Sequence, residues 1–457
     1  MAILTKDEAK KIIDKVLSYS KADEMSANLS GGRLGNIRYA RSAVSTSGES
    51  TNLSLAVTAV FGKRTGTATV NEFDDASLEK TVRRAEEVAR LAPENPEYVP
   101  MLGPQTYLAV EPYAESTAKM NPDFRAQATF DSIDPCRKKN LSAAGYMEDS
   151  TRFTAIGNTK GLSAYNRETS VEFSVTVRTA DGLGSGYATR DVTDVSKLNT
   201  KDATEIAIQK ALASTTARAL EPGKYTVILE PAALLANVDA SLLAAMMGSL
   251  DARSAEEGRS FLSKKGGGTR LGEKLFDERV TIYSDPTNPE VPASPFGGGG
   301  GGGGQGRFNG GSDGRPQEKV TWIEKGVVKN LSYSRYWAEK KGVKAIPPPA
   351  NFIMEGGTQS LADMIKSTEK GILVTRFWYI RPVDPQTLLY TGLTRDGTFY
   401  IENGQIKFPV KNFRFNESPI IMLNNIEALG KPVRMGGNLV PPLKIRDFTF
   451  TSLSDAV

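Results

Sequence analysis

The chain of 457 residues contains no histidine and only one cysteine, Cys136. One cysteine cannot form an internal disulfide, and a zinc site needs three or four ligands that are mostly cysteine and histidine. The fold must therefore rest on its hydrophobic core, and a hydrophobic content of 39% is sufficient for one. The same absence excludes a Ser-His-Asp triad, a Cys-His dyad and a histidine-based zinc site.

Basic and acidic residues are interspersed, 57 against 53, and the net charge is only +4. We find no basic stripe with interleaved aromatic residues, so we expect no nucleic-acid partner. The N-terminal residues lack the apolar core of a signal peptide. The longest apolar stretch, around Pro231–Leu243, is too short and too polar to span a bilayer. We therefore expect a cytoplasmic protein without a membrane partner.

The pattern of residues 1–220 predicts an N-terminal domain that mixes helices and strands. Thr5 and Glu8 fit a capping box at the start of an amphipathic helix. Gly31-Gly32 is interpreted as a turn before alternating strands, and Leu53–Phe61 and Thr65–Val70 are expected to form a hairpin. This order of elements is typical of an α+β fold.

Residues 221–457 predict a second, mostly antiparallel and barrel-like β domain. A strand at Tyr225–Leu229 is followed by an apolar segment that predicts one helix from Pro231 to about Met247. Further on, strands dominate. The pairs Asp396-Gly397 and Asn403-Gly404 predict tight hairpin turns, because both pairs accept the positive φ angles of such turns.

Eight consecutive glycines, Gly297–Gly304, lie between the strands of the second domain. The run lacks the Lys-Ser/Thr ending of a phosphate-binding loop. A long mobile loop is the simplest interpretation. A second interpretation is that these letters stand for residues that were not identified, and the lack of histidine makes that interpretation worth keeping.

Several short motifs occur in a fixed order from residue 222 onward. They are Gly258-Arg259-Ser260-Phe261-Leu262, Leu271-Gly272-Glu273-Lys274-Leu275-Phe276-Asp277, Thr321-Trp322-Ile323-Glu324-Lys325-Gly326, Met354-Glu355-Gly356-Gly357, Thr394-Arg395-Asp396-Gly397-Thr398 and Asn412-Phe413-Arg414-Phe415-Asn416-Glu417. Through these motifs the chain resembles the TldD/PmbA family, and the N-terminal half agrees more loosely, through Asn158-Thr159-Lys160-Gly161-Leu162. The family comprises modulators of DNA gyrase that also act as cytoplasmic metallopeptidases.

The resemblance implies a zinc site that this sequence has lost. In active members, a helix carries an HExxxH motif and a cysteine near the C-terminus supplies a further ligand. The matching positions here are Asp239, Ala240 and Ala244 for the motif and Asn438 for the cysteine region. The resemblance is therefore to the PmbA (TldE-like) branch, and we expect no cofactor here, with zinc only in a TldD-like partner.

Other candidate groups carry weaker signals. The carboxylates of Asp251–Glu257 lack the alternating spacing of a calcium loop. Cys136 has no histidine to activate it, and is interpreted as an inert thiol. Ser263-Lys264-Lys265 permits Ser-Lys catalysis only formally.

Two aromatic strands offer the remaining candidates, which are contacts to a peptide or to another chain: Arg376, Asn412, Arg414 and Asn416. The alternation in Asn412–Glu417 predicts that Phe413 and Phe415 face the barrel interior. An interface strand and an ordinary barrel strand are both compatible with this pattern.

These observations favour a non-catalytic subunit, inactive on its own, of a TldD/TldE-type zinc metallopeptidase. Such a subunit would shape the chamber and bind extended peptide through sheet edges. The alternative is a self-associating peptide-binding or regulatory protein that works without a peptidase partner. The expected partners are a TldD-like catalytic subunit or a second copy in a dimer, and peptide substrates. An active hydrolase with non-histidine chemistry is the least favoured hypothesis.

Overall fold

The computed structural model describes residues 3–235, 241–297 and 313–454. Helices account for 24% and strands for 41%, which confirms the predicted mixed α+β class. Asp239, Ala240 and Gly298–Gly304 of the predicted features lie outside the described residues. No helix within the described ranges is both long and apolar enough to cross a membrane.

Eleven α-helices are found in the described part of the chain. Their bounds are α1 Lys6–Ser18, α2 Asp75–Leu91, α3 Glu115–Ala118, α4 Pro122–Lys138, α5 Thr200–Ala213, α6 Pro231–Leu235, α7 Leu242–Gly248, α8 Ala252–Glu256, α9 Arg335–Lys341, α10 Leu361–Lys366 and α11 Pro419–Asn424. The capping box between Thr5 and Glu8 is present at the start of α1, as predicted.

The first sheet has six antiparallel strands in the order β3-β2-β1-β4-β5-β6. They are β1 Glu24–Ala40, β2 Ala43–Phe61, β3 Arg64–Val70, β4 Leu141–Asn158, β5 Ser163–Thr179 and β6 Ser185–Val192. Helices cover one face only, where Val171 and Phe173 of β5 pack with Ala207 of α5. The other face is polar, since Glu168, Ser170 and Glu172 alternate with those buried residues.

Gly31-Gly32 does not form the predicted turn, because both glycines lie in the middle of β1. They pair with Phe153 and Arg152 of β4. A Cβ atom on Gly32 would lie 2.8 Å from the carbonyl oxygen of Thr151, so the glycine is needed for close packing between strands. The hairpin between β2 and β3 is confirmed, with the ladder running from Leu55 to Phe61.

The second half contains a barrel sheet and a smaller sheet. The barrel sheet consists of β7 Gly223–Leu229, β12 Lys370–Asp384, β13 Leu389–Glu402, β14 Gln405–Pro409, β15 Phe413–Glu417, β16 Ile426–Leu429 and β19 Leu443–Leu453. Strands β12, β7, β19, β15 and β13 follow one another, and pairing of β13 with β12 closes a five-stranded barrel. Phe413 and Phe415 are fully buried inside it, as the alternation predicts.

The smaller sheet has six short strands in the order β10-β9-β8-β11-β18-β17. They are β8 Ile282–Ser284, β9 Val320–Glu324, β10 Val327–Val328, β11 Ile353–Met354, β17 Val433–Met435 and β18 Asn438–Val440. Its residues share one hydrophobic core with the barrel and with α6 and α7, including Ile282, Trp322 and Met354.

Two predictions for the second half are wrong. Asp396-Gly397 is not a hairpin turn: β13 continues through it as a bulge, opposite a register shift between Val374 and Arg376 of β12. The apolar segment is not one helix either, since Ser241 has extended backbone angles and α7 begins after it. The turn at Asn403-Gly404 is confirmed, with φ angles of 50° and 73°.

Candidate functional site

The loop between β17 and β18 is a tight hairpin turn that carries Gly436 and Gly437. Both glycines have positive φ angles, 58° and 73°, and their backbone N–H groups point outward from the turn to a common acceptor. The following residue, Asn438, is only 4% exposed. Its Oδ1 accepts the N–H of Phe352 at 2.9 Å and its Nδ2 donates to the carbonyl of Gly436 at 2.8 Å, so the amide serves the loop.

The acceptor is Asp191 of β6, in the N-terminal half of the chain. The N–H groups of Gly436 and Gly437 donate to Asp191 Oδ1 at 2.8 Å and Oδ2 at 2.9 Å. Arg434 Nε donates to Oδ2 at 2.8 Å. Three charge-assisted contacts on one carboxylate therefore join the polar face of the first sheet to the loop that carries Asn438.

Two further carboxylates lie beside Asp191 on this face. Glu172 of β5 is directly opposite Asp191 in the ladder, and Glu148 of β4 is directly opposite Glu172. Burial raises the pKa of Glu172 to about 7, and the negative charges of Asp191 and Glu148 add to the effect. Glu172 thus titrates near neutral pH at the junction of the two halves.

A second polar cluster surrounds Asp396, which the bulge of β13 turns inward. The carboxylate is 2% exposed and pairs with Arg376 Nη2 at 2.6 Å. Ser185 of β6 donates its hydroxyl to Asp396 Oδ1. The Arg376 guanidinium also lies 3.9 Å from the ring centroid of Tyr187, which places it between the barrel and the first sheet.

A third link joins α5 to the strand end that precedes α6. Lys210 Nζ donates to both carboxylate oxygens of Glu230 at 2.8 Å, and the hydroxyl of Thr375 donates to Oε1 at 3.2 Å. The two charged side chains are only 14% and 13% exposed. This pair and the Asp396 cluster join the barrel to the N-terminal half, and the Asp191 cluster joins the smaller sheet to it.

A cavity of about 570 Å³ opens next to the Asp396 cluster. Its walls come from the loop after β5, the end of α5 and the barrel, and they include Ser185, Thr215, Thr398, Lys411 and Asn412. Six of the fourteen lining residues are serine or threonine. Its volume suits a small polar molecule or a few residues of an extended peptide.

The four predicted contact residues separate into two pairs. Arg376 and Asn412 lie at the junction, since Arg376 binds Asp396 and Asn412 lines the cavity. Arg414 and Asn416 are exposed on the outer face of β15, opposite the buried phenylalanines. The structure thus brings Arg376 and Asn412 together around Asp396 and places the other two away from them.

Three family models match the chain: the PmbA/TldA metallopeptidase C-terminal domain over residues 222–452, domain 1 over 29–89 and the central domain over 115–215. Together they cover most of the sequence. The chain belongs to the TldD/PmbA family. The family resemblance that the short motifs indicated is thereby confirmed.

Two curated relatives match parts of this family member. A TldD homologue from Buchnera aphidicola, named as a metalloprotease, is 25% identical over 178 residues, which are 36% of this chain and 34% of the relative. A metalloprotease from Methanothermobacter thermautotrophicus is 24% identical over 184 residues, 36% of each chain. The match therefore spans about a third of the length of these relatives.

Solved structures show the same fold over most of the chain. TldE from Thermococcus kodakarensis superposes with a TM-score of 0.83 at 17% identity, covering 97% of this chain and 99% of that one. A Thermotoga maritima protein described as a candidate modulator of a DNA gyrase gives a TM-score of 0.84 at 17% identity, with 97% and 100% coverage. At these identities the likeness concerns the fold alone.

Zinc, which the family name implies, does not fit the residues of this chain. Ala244 has no donor atom, and its side chain is exposed on α7. Asn438 is already engaged by Phe352 and Gly436. No group of three His, Cys, Asp or Glu residues that could hold a metal ion is found in the described ranges.

Sequence reasoning missed Asp191, Glu172 and the Ser185–Asp396 contact. Asp191 and Gly436 are 245 positions apart, and no local pattern connects them. The glycine pair at 436–437 was the available signal, because the backbone N–H groups of two adjacent glycines can together bind an anion.

Proposed function

We propose that this chain is a non-catalytic subunit of a cytoplasmic TldD/TldE-type zinc metallopeptidase, and that a TldD-like chain supplies the zinc and the catalytic glutamate. The observation that carries the proposal is the contact that the loop before Asn438 makes with Asp191. The residues that would present a metal ligand there instead hold Asp191 of the same chain through Gly436, Gly437 and Arg434. The loop therefore has a structural role, which is to join the smaller sheet to the first sheet.

The contribution of this subunit is to shape a chamber and to bind extended peptide. The three polar links at Asp191, Asp396 and Glu230 support it, because they join the barrel and the smaller sheet to the N-terminal half. The cavity beside Asn412 supplies hydroxyl and amide groups that can hydrogen-bond to a peptide backbone.

The partnership is tested by mixing this chain with a TldD-like chain that carries HExxxH. We expect zinc and peptide cleavage in the mixture and neither in this chain alone. A partner whose HExxxH glutamate is replaced by glutamine serves as the control, and its mixture should be inactive. Cleavage that persists with this inactive partner would assign catalysis to the present chain and overturn the proposal.

Peptide binding is tested separately by substituting two asparagines, one directly before β15 and one on its outer face. Asn412→Ala should weaken binding of a fluorescent peptide about fivefold to tenfold through the loss of one hydrogen bond. It also removes the acceptor of the Thr394 and Thr398 hydroxyls, so the unfolding temperature of the variant is measured alongside. Asn416→Ala, on the outer face of β15, should leave binding unchanged. If the two substitutions weaken peptide binding equally, the cavity is not the peptide-binding site.

If the mixture shows no complex and no activity, the alternative function is supported. The chain would then be a self-associating peptide-binding or regulatory protein that works without a peptidase partner.

A further inference from the structure

A pocket of about 210 Å³ lies on the polar face of the first sheet, over strands β1, β2 and β4. Its floor is a row across these strands, in which Ser26 of β1 lies between Thr58 of β2 and Asn158 of β4. Asn28 is the next residue on the same face of β1 and also lines the pocket. The cavity beside Asn412 borders β6 instead, and the two sites share no lining residue.

The walls of this pocket come from the connection between α2 and α3 and from the second half of the chain. Val99 and Met101 belong to the connection, and Asp313 and Arg335 belong to the second half. Arg335, at the start of α9, donates from Nη2 to the carbonyl of Pro100 at 2.5 Å, which fixes its guanidinium beside the pocket. A basic group therefore faces a floor of hydroxyl and amide groups at the junction of the two halves.

Arg335 is a half-buried cation that forms no ion pair within the described residues. The acidic residue in the same wall, Asp313, is bound to Arg315 at 2.8 Å instead. Burial lowers the pKa of Arg335 below its ordinary value, and the positive charge of Arg315 adds to this effect, so that together they outweigh the attraction of Asp313. A further negative group in the pocket would therefore stabilise the charged form of Arg335.

Two side chains of the floor also have unused hydrogen-bond donors. Ser26 and Asn28 are half-buried, and their side chains form no hydrogen bond within the ranges that the structure describes. Their neighbour Asn158 is already engaged, since its Nδ2 donates to the carbonyl of Leu102 at 2.8 Å and its Oδ1 accepts the N–H of Leu162 at 3.1 Å. One hydroxyl and one amide are thus available to a ligand that also reaches the guanidinium in the wall.

We propose that this pocket binds a carboxylate group through Arg335, with the Ser26 hydroxyl and the Asn28 amide as further donors. A guanidinium with one N–H group held by the backbone keeps a pair of N–H groups for the two oxygens of a carboxylate. A doubly charged phosphate is disfavoured, because Asp313 lies in the wall and Glu24 precedes Ser26 on the same face of β1. The carboxylate belongs to a small free acid or to one acidic side chain of a peptide, and neither source requires a peptidase partner.

Isothermal titration calorimetry with the full chain tests the ligand class. The probes are glutarate, inorganic phosphate and two short peptides with blocked ends, which differ only in a central glutamate or glutamine. We expect glutarate or the glutamate peptide to bind about tenfold or more tightly than phosphate and the glutamine peptide, because only a carboxylate makes the charge-assisted contact to Arg335 without added repulsion. The tighter of these two carboxylate probes identifies the source of the group. Binding of neither, or a preference for phosphate, would overturn the proposal.

Substitutions test whether the carboxylate binds in this pocket. Arg335→Gln should weaken its binding about tenfold or more, whereas Arg446→Gln, which removes an exposed guanidinium elsewhere, should leave it unchanged. Asn28→Ala should weaken it about threefold to tenfold. This variant keeps the test valid if Arg335→Gln is unstable, because the Asn28 side chain holds no hydrogen bond within the described fold. Carboxylate binding that survives both Arg335→Gln and Asn28→Ala would lie elsewhere and would refute the assignment of this pocket.

Discussion

Asp191 Oδ1 accepts the backbone N–H of Gly436 at 2.8 Å, although the two residues are 245 positions apart in the chain. The contact joins the last strand of the first sheet to the loop where the family resemblance expects a metal-binding cysteine. Gly437 and Arg434 bind the same carboxylate. A substitution at Asp191 therefore tests the structural role of this loop separately from any catalytic role.

Replacing Asp191 by asparagine should destabilise the protein by about 2 kcal/mol, because one amide N–H group would then face the donors of Gly437 and Arg434. Chemical denaturation gives the free energy of unfolding. Asp202→Asn is the matched control, since Asp202 forms an exposed ion pair with Arg190 and should matter little. Equal losses in both variants would argue against a clamp at Asp191.

Arg125→Leu should cost about 2–3 kcal/mol of unfolding free energy, because it removes the closer of the two guanidinium groups that bind the buried carboxylate of Asp149, and only Arg33 Nη2 remains, at 3.0 Å. Adding Asp149→Leu to that variant should recover part of the loss, since the buried carboxylate is then absent and Arg33 keeps Glu49 as its partner at 3.5 Å. The measurement is a double-mutant cycle by urea denaturation. Strict additivity of the two losses would contradict direct coupling between these residues.

The pH dependence of stability should carry a contribution from Glu172. Its pKa is raised to about 7 in the folded protein, above its ordinary value of 4.5, so the folded state retains a proton that the unfolded state has released. The contribution of Glu172 is therefore present below about pH 4.5 and is lost as the pH rises to about 7. Carboxylates with lowered pKa values give slopes of opposite sign, so the wild type must be compared with Glu172→Gln.

The glutamine variant should lose this slope between pH 4.5 and 7 and should be more stable than the wild type at pH 8. Asp191→Asn should shift the same transition to lower pH, because it removes a neighbouring negative charge. Unfolding temperatures measured at half-unit pH intervals provide the test. Identical pH profiles for the wild type and Glu172→Gln would refute the assignment.

Chelation should not affect this chain. Treatment with EDTA is expected to leave the unfolding temperature unchanged, because the described residues supply no three-ligand group and the sequence has no histidine. A TldD-like chain with an intact HExxxH motif should lose stability under the same treatment. A fall in the unfolding temperature of the present chain that zinc reverses would reveal a metal site.

Local signals predicted local structure well. The capping box of Thr5 and Glu8 and the turn at Asn403-Gly404 depend on residues within four positions of each other, and both are present. Asp396-Gly397 has the same local preference for positive φ. Pairing of β13 with β12 on both sides of it makes a bulge instead of a turn.

Long-range contacts could not be read from the sequence. Whether Gly31-Gly32 turns or continues a strand is decided by Phe153 and Arg152 more than a hundred residues later. The pairing of Asp191 with Gly436 and of Glu49 with Arg125 likewise depends on which strands become neighbours. The predicted contacts Arg376 and Asn412 lie at the junction, whereas Arg414 and Asn416 do not, because strand alternation alone does not specify which side faces another domain.

Helices cover only one face of the first sheet. Along each strand, residues that pack in the core therefore alternate with polar residues on the opposite face. Phe173 belongs to the core, and its neighbour Glu172 belongs to the lining of the junction. Substitutions on the polar face therefore leave the helix-covered core of the sheet intact, although a change at Asp191 also weakens the contact with the second half. Each strand of the first sheet thus carries two independent jobs, cohesion within the sheet on one side and attachment to the second half on the other.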